Sequence, residues 1–224
     1  MRRGPKHVQH VQHVQRVQSD ALDPLRRAQI GWKVGWWQGA QRLESPNFGP
    51  RPAQTAITLA VIHSISLPPG QYGGDAIERL FTNRLDWDAH PYFQSIRGLQ
   101  VSSHFLIRRH GGTTQFVSCL DRAWHAGASS WLGQDNCNNY SIGIELEGLE
   151  GQGFEALQYG ALTQLLMAVH QQFPLRHVVG HEHIAPGRKH DPGLGFDWAG
   201  LQGALGWSET MFAPGQSRTN KAAC

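Results

Sequence analysis

The stretch VVGHEHIAPGRKHDPGLGFDW, residues 178–198, gathers His181, Lys189 and Asp191 into one loop broken by Pro186-Gly187 and Pro192-Gly193. Imidazole and carboxylate together suit a Zn²⁺ ion, and an ammonium beside them suits a developing oxyanion. A catalytic zinc takes three protein ligands and keeps a fourth position for water. Two candidates lie in this stretch, so a third has to come from elsewhere. His63, at the end of the apolar run AITLAVIH, is the best placed. His183 and His190 compete with His181, and spacing alone does not choose among them. Asp191 precedes Pro192-Gly193 and equally reads as a turn former. A lone strand-end histidine such as His63 also reads as a core residue.

The segment SIGIELEG offers a carboxylate for proton transfer. Ile142, Ile144 and Leu146 point one way, and Gly143, Glu145 and Glu147 the other. Glu145 sits near Gly143, which leaves room for a ligand, and a carboxylate beside an activated water is a general base. Glu147 shares that face, and a solvated strand edge would explain both residues. Lys189 reads either as a surface lysine or as the group that steadies a tetrahedral oxyanion. Trp124-His125-Ala126-Gly127 and His90-Pro91-Tyr92-Phe93 combine apolar plates with polar tips, suited to a sugar or peptide. Packed aromatics are the alternative. His104, alternating with Phe105, reads as structural.

These groups need rigid elements behind them. Residues 57–63 read as a buried strand and 75–84 as a short helix. Residues 101–108 and 114–118 pair as a hairpin across Gly111-Gly112. Residues 154–173 show helical spacing of Phe154, Leu157, Ala161, Leu162, Leu165, Val169 and Phe173, with Pro174 as the stop. HVVGH is a short strand feeding the opening loop. Strands and helices mix without a regular βαβ repeat, so the fold expected is α+β: a single domain with a mixed central β-sheet covered by helices. That domain is placed at residues 30–207. Residues 1–29 carry the repeat HVQHVQHVQRVQ, a polar tract expected to be a disordered extension despite its histidines. Residues 208–224 are expected to be a flexible tail.

The chain has 224 residues and is 40% hydrophobic, enough for one core. A net charge of +3, without basic clusters interleaved with aromatics, argues against nucleic acid. Three cysteines without CxxC spacing argue against a disulfide framework and for a reducing compartment. No apolar run reaches membrane-span length, and no apolar segment follows Arg2, Arg3 and Lys6 as in an export signal. A monomeric cytoplasmic protein without membrane contact is expected.

With these residues assembled, the chain resembles the zinc-dependent N-acetylmuramoyl-L-alanine amidases of the second type, a family related to peptidoglycan recognition proteins. The segments that carry the resemblance are VIHSISLPPGQYGG, HPYF, VSSHFLIRR, RAWHAGASS, NCNNYSIGIELEG and GHEHIAPGRKHDPGLGFDW, spread over residues 31–205. The SLPPG-to-HPYF insertion is similar to the branch that acts on anhydro-muramoyl peptides in cytosolic cell-wall recycling. The resemblance implies that His63, His181 and Asp191 bind zinc, that Glu145 rather than Glu147 is the base, and that Lys189 polarises the amide carbonyl. Tyr92, Trp124 and His125 then serve the substrate. The family's basic residues for an acidic stem peptide fall near Gln100 and Asn136, both neutral here. Two other functions fit the same residues: a non-catalytic muropeptide-binding module, and a zinc peptidase cutting within the stem peptide.

Overall fold

Six strands form the central sheet: β1 (Gln41–Arg42), β2 (Leu59–Ile65), β3 (Phe105–Ile107), β4 (Thr113–Gln115), β5 (Ser141–Glu147) and β6 (His177–Gly180). The computed structural model describes residues 31–215, so the expectation for residues 1–29 lies outside the described residues. Spatial order is β6-β2-β5-β3-β4-β1. The β6–β2, β2–β5 and β5–β3 pairs are parallel, and β3–β4 is the antiparallel hairpin expected across Gly111-Gly112. Parallel strands in the middle of a sheet are covered on both faces, and all seven residues of β5 are buried. The face of Glu145 and Glu147 is therefore not solvated. The first apolar run starts and ends two residues later than its composition predicts, and places His63 inside the strand rather than at its end.

Ala60, Ile62, Ile142, Ile144 and Leu146 pack on one side against Leu162, Leu165, Leu166 and Val169 of a long helix. Helix α1 is Ala76–Phe81, α2 Pro91–Ser95, α3 this long helix, Ala156–Gln172, α4 His181–Ile184 and α5 Trp198–Leu205. Truncating the fully buried Leu162 to alanine would cost about 2–5 kcal/mol, through lost transfer energy and the cavity left behind. The buried stripe of α3 differs from the expected one at its first turn. Leu157 is 65% exposed, and Gln158 is buried in its place. The reason is hydrogen bonding: Gln158 Nε2 donates to the carbonyls of Ile107 and Glu147, and its Oε1 accepts from Glu155 N. A glutamine inside thus satisfies two strand carbonyls that a leucine would leave unpaired.

Helix α5 starts at Asp197, whose Oδ1 accepts from Gly200 N at 2.8 Å, and stops at Gly206 in the left-handed region. The chain does not become a free tail at residue 208. Ser208 caps a 3₁₀ turn, Glu209–Met211, and Phe212 and Ala213 are buried, Phe212 bridging to Val178. The phenyl ring supplies apolar area that the composition of this segment understates, so the packed unit extends to Ala213. Among the described residues, no helix is long and apolar enough to cross a membrane.

Candidate metal centre and active site

Strand register brings the chemistry together. Glu145 of β5 pairs with His63 of β2, and Gly180 of β6 pairs with Ile62. The next residue after Gly180, His181, opens α4 level with His63. The loop after α4 returns Asp191, whose carbonyl accepts from Glu182 N at 2.9 Å. His63 Nδ1, His181 Nδ1 and Asp191 Oδ2 then form a triangle with edges of 3.0, 3.1 and 3.2 Å.

That triangle fits zinc. Bonds of 2.0–2.1 Å in tetrahedral geometry put ligand atoms about 3.3 Å apart. The far nitrogens are held as a metal site needs. His181 Nε2 lies 3.1 Å from Ala126 O, an acceptor only, so the proton sits on Nε2 and Nδ1 keeps its lone pair. Burial lowers the His63 pKa to about 4 against the opposing pull of Asp191, which keeps the ring in the neutral, ligating form. For Asp191, burial pushes the pKa up, but the adjoining imidazoles of His181 and His63 outweigh it and hold the carboxyl well below its usual range. His183 faces elsewhere, its Nδ1 accepting from Gly180 N at 3.0 Å, and His190 is exposed. Among the described residues, the one set of three or more groups whose ligand atoms converge is His63, His181 and Asp191.

The two glutamates of β5, two residues apart on one face, have opposite surroundings. Glu145 Oε2 is buried with no hydrogen-bond partner among the described residues. Burial first, then the nearby Asp191, raise its pKa well above the ordinary value, with Lys189 opposing. Glu147 is fully engaged: it accepts from Arg108 Nη1 and Gly73 N at 2.6 Å each and from Arg109 N at 3.2 Å. Burial pushes its pKa up, but these donors outweigh that and leave it lowered. A carboxylate held by three donors, and outside the lining of the cavity that the metal triad borders, is not placed to activate a water there. Arg108 also reaches Glu78 of α1 and Gly74 O, a network with no local signature in the sequence.

Gly143 serves a different purpose from the one its sequence context implies. A Cβ there would meet His125 Cγ at 2.5 Å, so the room it leaves is filled by the His125 ring, not by a ligand. Both His125 nitrogens are taken, by His63 Nε2 at 2.9 Å and Ser141 Oγ at 3.1 Å. His125 was expected at the substrate; its ring borders the cavity but has no free nitrogen to turn toward one. His104 is structural, as expected: its Nδ1 accepts from Gly143 N and its Nε2 donates to Asp121 O.

The metal triad, Glu145 and Lys189 border a cavity of about 470 Å³. Its other walls are mainly apolar, with Ile65, Leu67, Phe81, Ile96 and Leu149, and Tyr92 and Trp124 line it as well. Tyr92 is 38% exposed on α2, where its backbone N–H donates to His90 Nδ1. Gln100 and Asn136 are exposed and lie outside this lining.

Two histidines and a carboxylate that could hold a metal ion, beside a buried glutamate with no hydrogen-bond partner among the described residues, are the donor set that a metal-dependent hydrolase would need. The family model described as N-acetylmuramoyl-L-alanine amidase matches residues 53–194. The 1,6-anhydro-N-acetylmuramyl-L-alanine amidase AmpD of Escherichia coli (strain K12) is 47% identical over 167 residues, covering 74% of this chain and 91% of that protein. The enzyme of the same name from Haemophilus influenzae is 46% identical over 161 residues, covering 70% and 88%. The crystal structure of a selenomethionine AmpD derivative superposes with a TM-score of 0.77 at 44% identity, over 79% of this chain and 99% of that one. The chain belongs to the N-acetylmuramoyl-L-alanine amidase family.

Proposed function

We propose that this chain hydrolyses the amide joining the lactyl group of N-acetylmuramic acid, preferably in its 1,6-anhydro form, to L-alanine of the stem peptide. The reaction is zinc-dependent and belongs to cytosolic recycling of cell-wall fragments. One observation carries the chemistry: three ligand atoms converge within 4.8 Å beside a buried carboxylate that has no hydrogen-bond partner among the described residues. The relatives named above support the substrate. Two buried cysteines, Cys119 and Cys137, are free thiols, which suits a reducing compartment.

His63, His181 and Asp191 would hold the ion. Zinc, when bound, supplies Lewis acidity that acidifies water and polarises the scissile carbonyl. Glu145 takes the proton of the attacking water, because its Oε2 is committed to no donor among the described residues, and returns it to the departing amine of L-alanine. Lys189 steadies the negative oxygen of the tetrahedral intermediate. The apolar cavity, with Tyr92 and Trp124 on its wall, accommodates the sugar and excludes bulk water. Zinc, Glu145 and Lys189 make up the catalytic set, and the anhydro-muramoyl peptide is the partner of a monomer.

The test is digestion of anhydro-muramoyl-tripeptide with and without a chelator, read by mass spectrometry. The expected products are free anhydro sugar and intact tripeptide, absent when the metal is removed. Cleavage inside the peptide, chelator-insensitive release, or equally fast release from intact sacculi would contradict the proposal.

A further inference from the structure

We propose that His125 is a positioning residue for the metal centre, fixing the tautomer and ring orientation of His63. The inference deepens the zinc reading and rests on it. For His63 Nδ1 to present a lone pair to the ion, its proton must sit on Nε2. The His63 Nε2–His125 Nδ1 distance is 2.9 Å, so His125 Nδ1 is the acceptor and the His125 proton sits on Nε2. That proton has its own acceptor in Ser141 Oγ, at 3.1 Å. The relay runs one way, from ligand to strand.

Three further features build His125 into place. The two rings meet edge-on, with centroids 5.0 Å apart and planes at 86°. Gly143 accepts the flat of the ring where any Cβ would collide at 2.5 Å. Asn138 Oδ1 accepts from both His125 N and Ala126 N, at 3.1 and 2.9 Å, which clamps the backbone on which the ring stands. The neighbouring Ala126 O holds His181 Nε2. Two consecutive residues on one clamped segment therefore orient both histidine ligands, one through a side chain and one through a carbonyl. Groups that hold the far nitrogen of a ligand in this way typically affect metal affinity by 10–100-fold.

The experiment measures zinc Kd by chelator competition on the full chain and on His125→Ala, His125→Asn and Ser141→Ala. Thermal melts of each metal-free protein check folding. Asparagine places its Oδ1 close to where Nδ1 stood, so it keeps an acceptor for His63. His125→Ala should weaken zinc by roughly 10–100-fold, His125→Asn should recover most of that loss, and Ser141→Ala should show a smaller loss. If His125→Ala does not fold, the Asn and Ser141 variants decide: zinc affinity near wild type in the first and reduced in the second supports the relay. The cobalt-substituted proteins should show displaced visible bands for His125→Ala and near-native bands for His125→Asn. A His125→Ala Kd within twofold of wild type would overturn the inference while leaving the zinc reading intact. An Asn variant as weak as Ala would also overturn it, because ring bulk would then matter rather than the acceptor. Wild-type protein that holds no zinc would remove the reading beneath it as well.

Discussion

Replacing Glu145 by glutamine separates catalysis from stability, and the two should move in opposite directions. The exchange preserves shape but removes the ability to take a proton. Loss of general-base help lowers turnover by roughly 10²–10⁴-fold, or about 3–5 kcal/mol in the barrier. The same change removes a carboxyl group whose ionised form is disfavoured by burial, with Oε2 unpartnered among the described residues, and by the carboxylate of Asp191. Relief of that burial should raise the stability of the metal-free protein by about 1 kcal/mol. Glu147→Gln is the control on the same strand face. Its carboxylate accepts from Arg108 and from two backbone N–H groups, so neutralising it weakens a buried network and should cost about 3–5 kcal/mol. Its turnover per folded, zinc-loaded molecule should stay near wild type. The assay pairs urea unfolding in chelator with turnover of anhydro-muramoyl-tripeptide at measured zinc content. Glu145→Gln turnover within threefold of wild type, or a Glu147→Gln protein as stable as its parent, would refute the division of roles.

Three other outcomes are expected. His63→Ala and His181→Ala should each lose most bound zinc, and normal zinc by elemental analysis in both would remove the ligand assignment. His104 is held neutral, its pKa lowered to about 3 by burial and then by Arg51. A folded pKa below the unfolded value gives stability that is present above about pH 6.5 and lost as pH falls toward 3, because only the unfolded chain gains the proton. Between pH 7.5 and 5, wild type should therefore lose about 2 kcal/mol more than His104→Asn in urea unfolding, and equal losses would contradict the buried neutral state. Phe212→Ala should cost about 3–5 kcal/mol, since the ring is buried against the sheet; a midpoint shift near zero would return residue 212 to the tail.

Much of the frame was legible because it follows from local periodicity. The alternation of Ile142, Ile144 and Leu146 and the helical spacing of Leu162, Leu165 and Val169 each identify one buried face, and those faces meet. The ligand candidates were also legible, since few residue types suit zinc, although His63 lies inside its strand rather than at the end. What the sequence concealed depends on partners far along the chain. Leu157 and Gln158 exchange places because the carbonyls that Gln158 serves belong to Ile107 and Glu147. Glu145 and Glu147 look alike in SIGIELEG, and only the donors from Gly73, Arg108 and Arg109 tell them apart. Gly143 announces a close approach, but not that the visitor is a histidine from residue 125. Residues 208–213 look like a tail because Phe212 and Ala213 are buried by contacts with elements far along the chain.

The Arg108–Glu147 network has a bearing on how substrate arrives. The segment before α1 that borders the cavity is fastened at several points: Gly70 N to Ser66 Oγ, Gly73 N to Glu147, and Gly74 O to Arg108. A rim moored to the same strand that carries Glu145 does not need to fold over its guest. On this side the entrance is a fastened edge rather than a flap. Association should then follow a single concentration-dependent phase, without a slower closing step behind it.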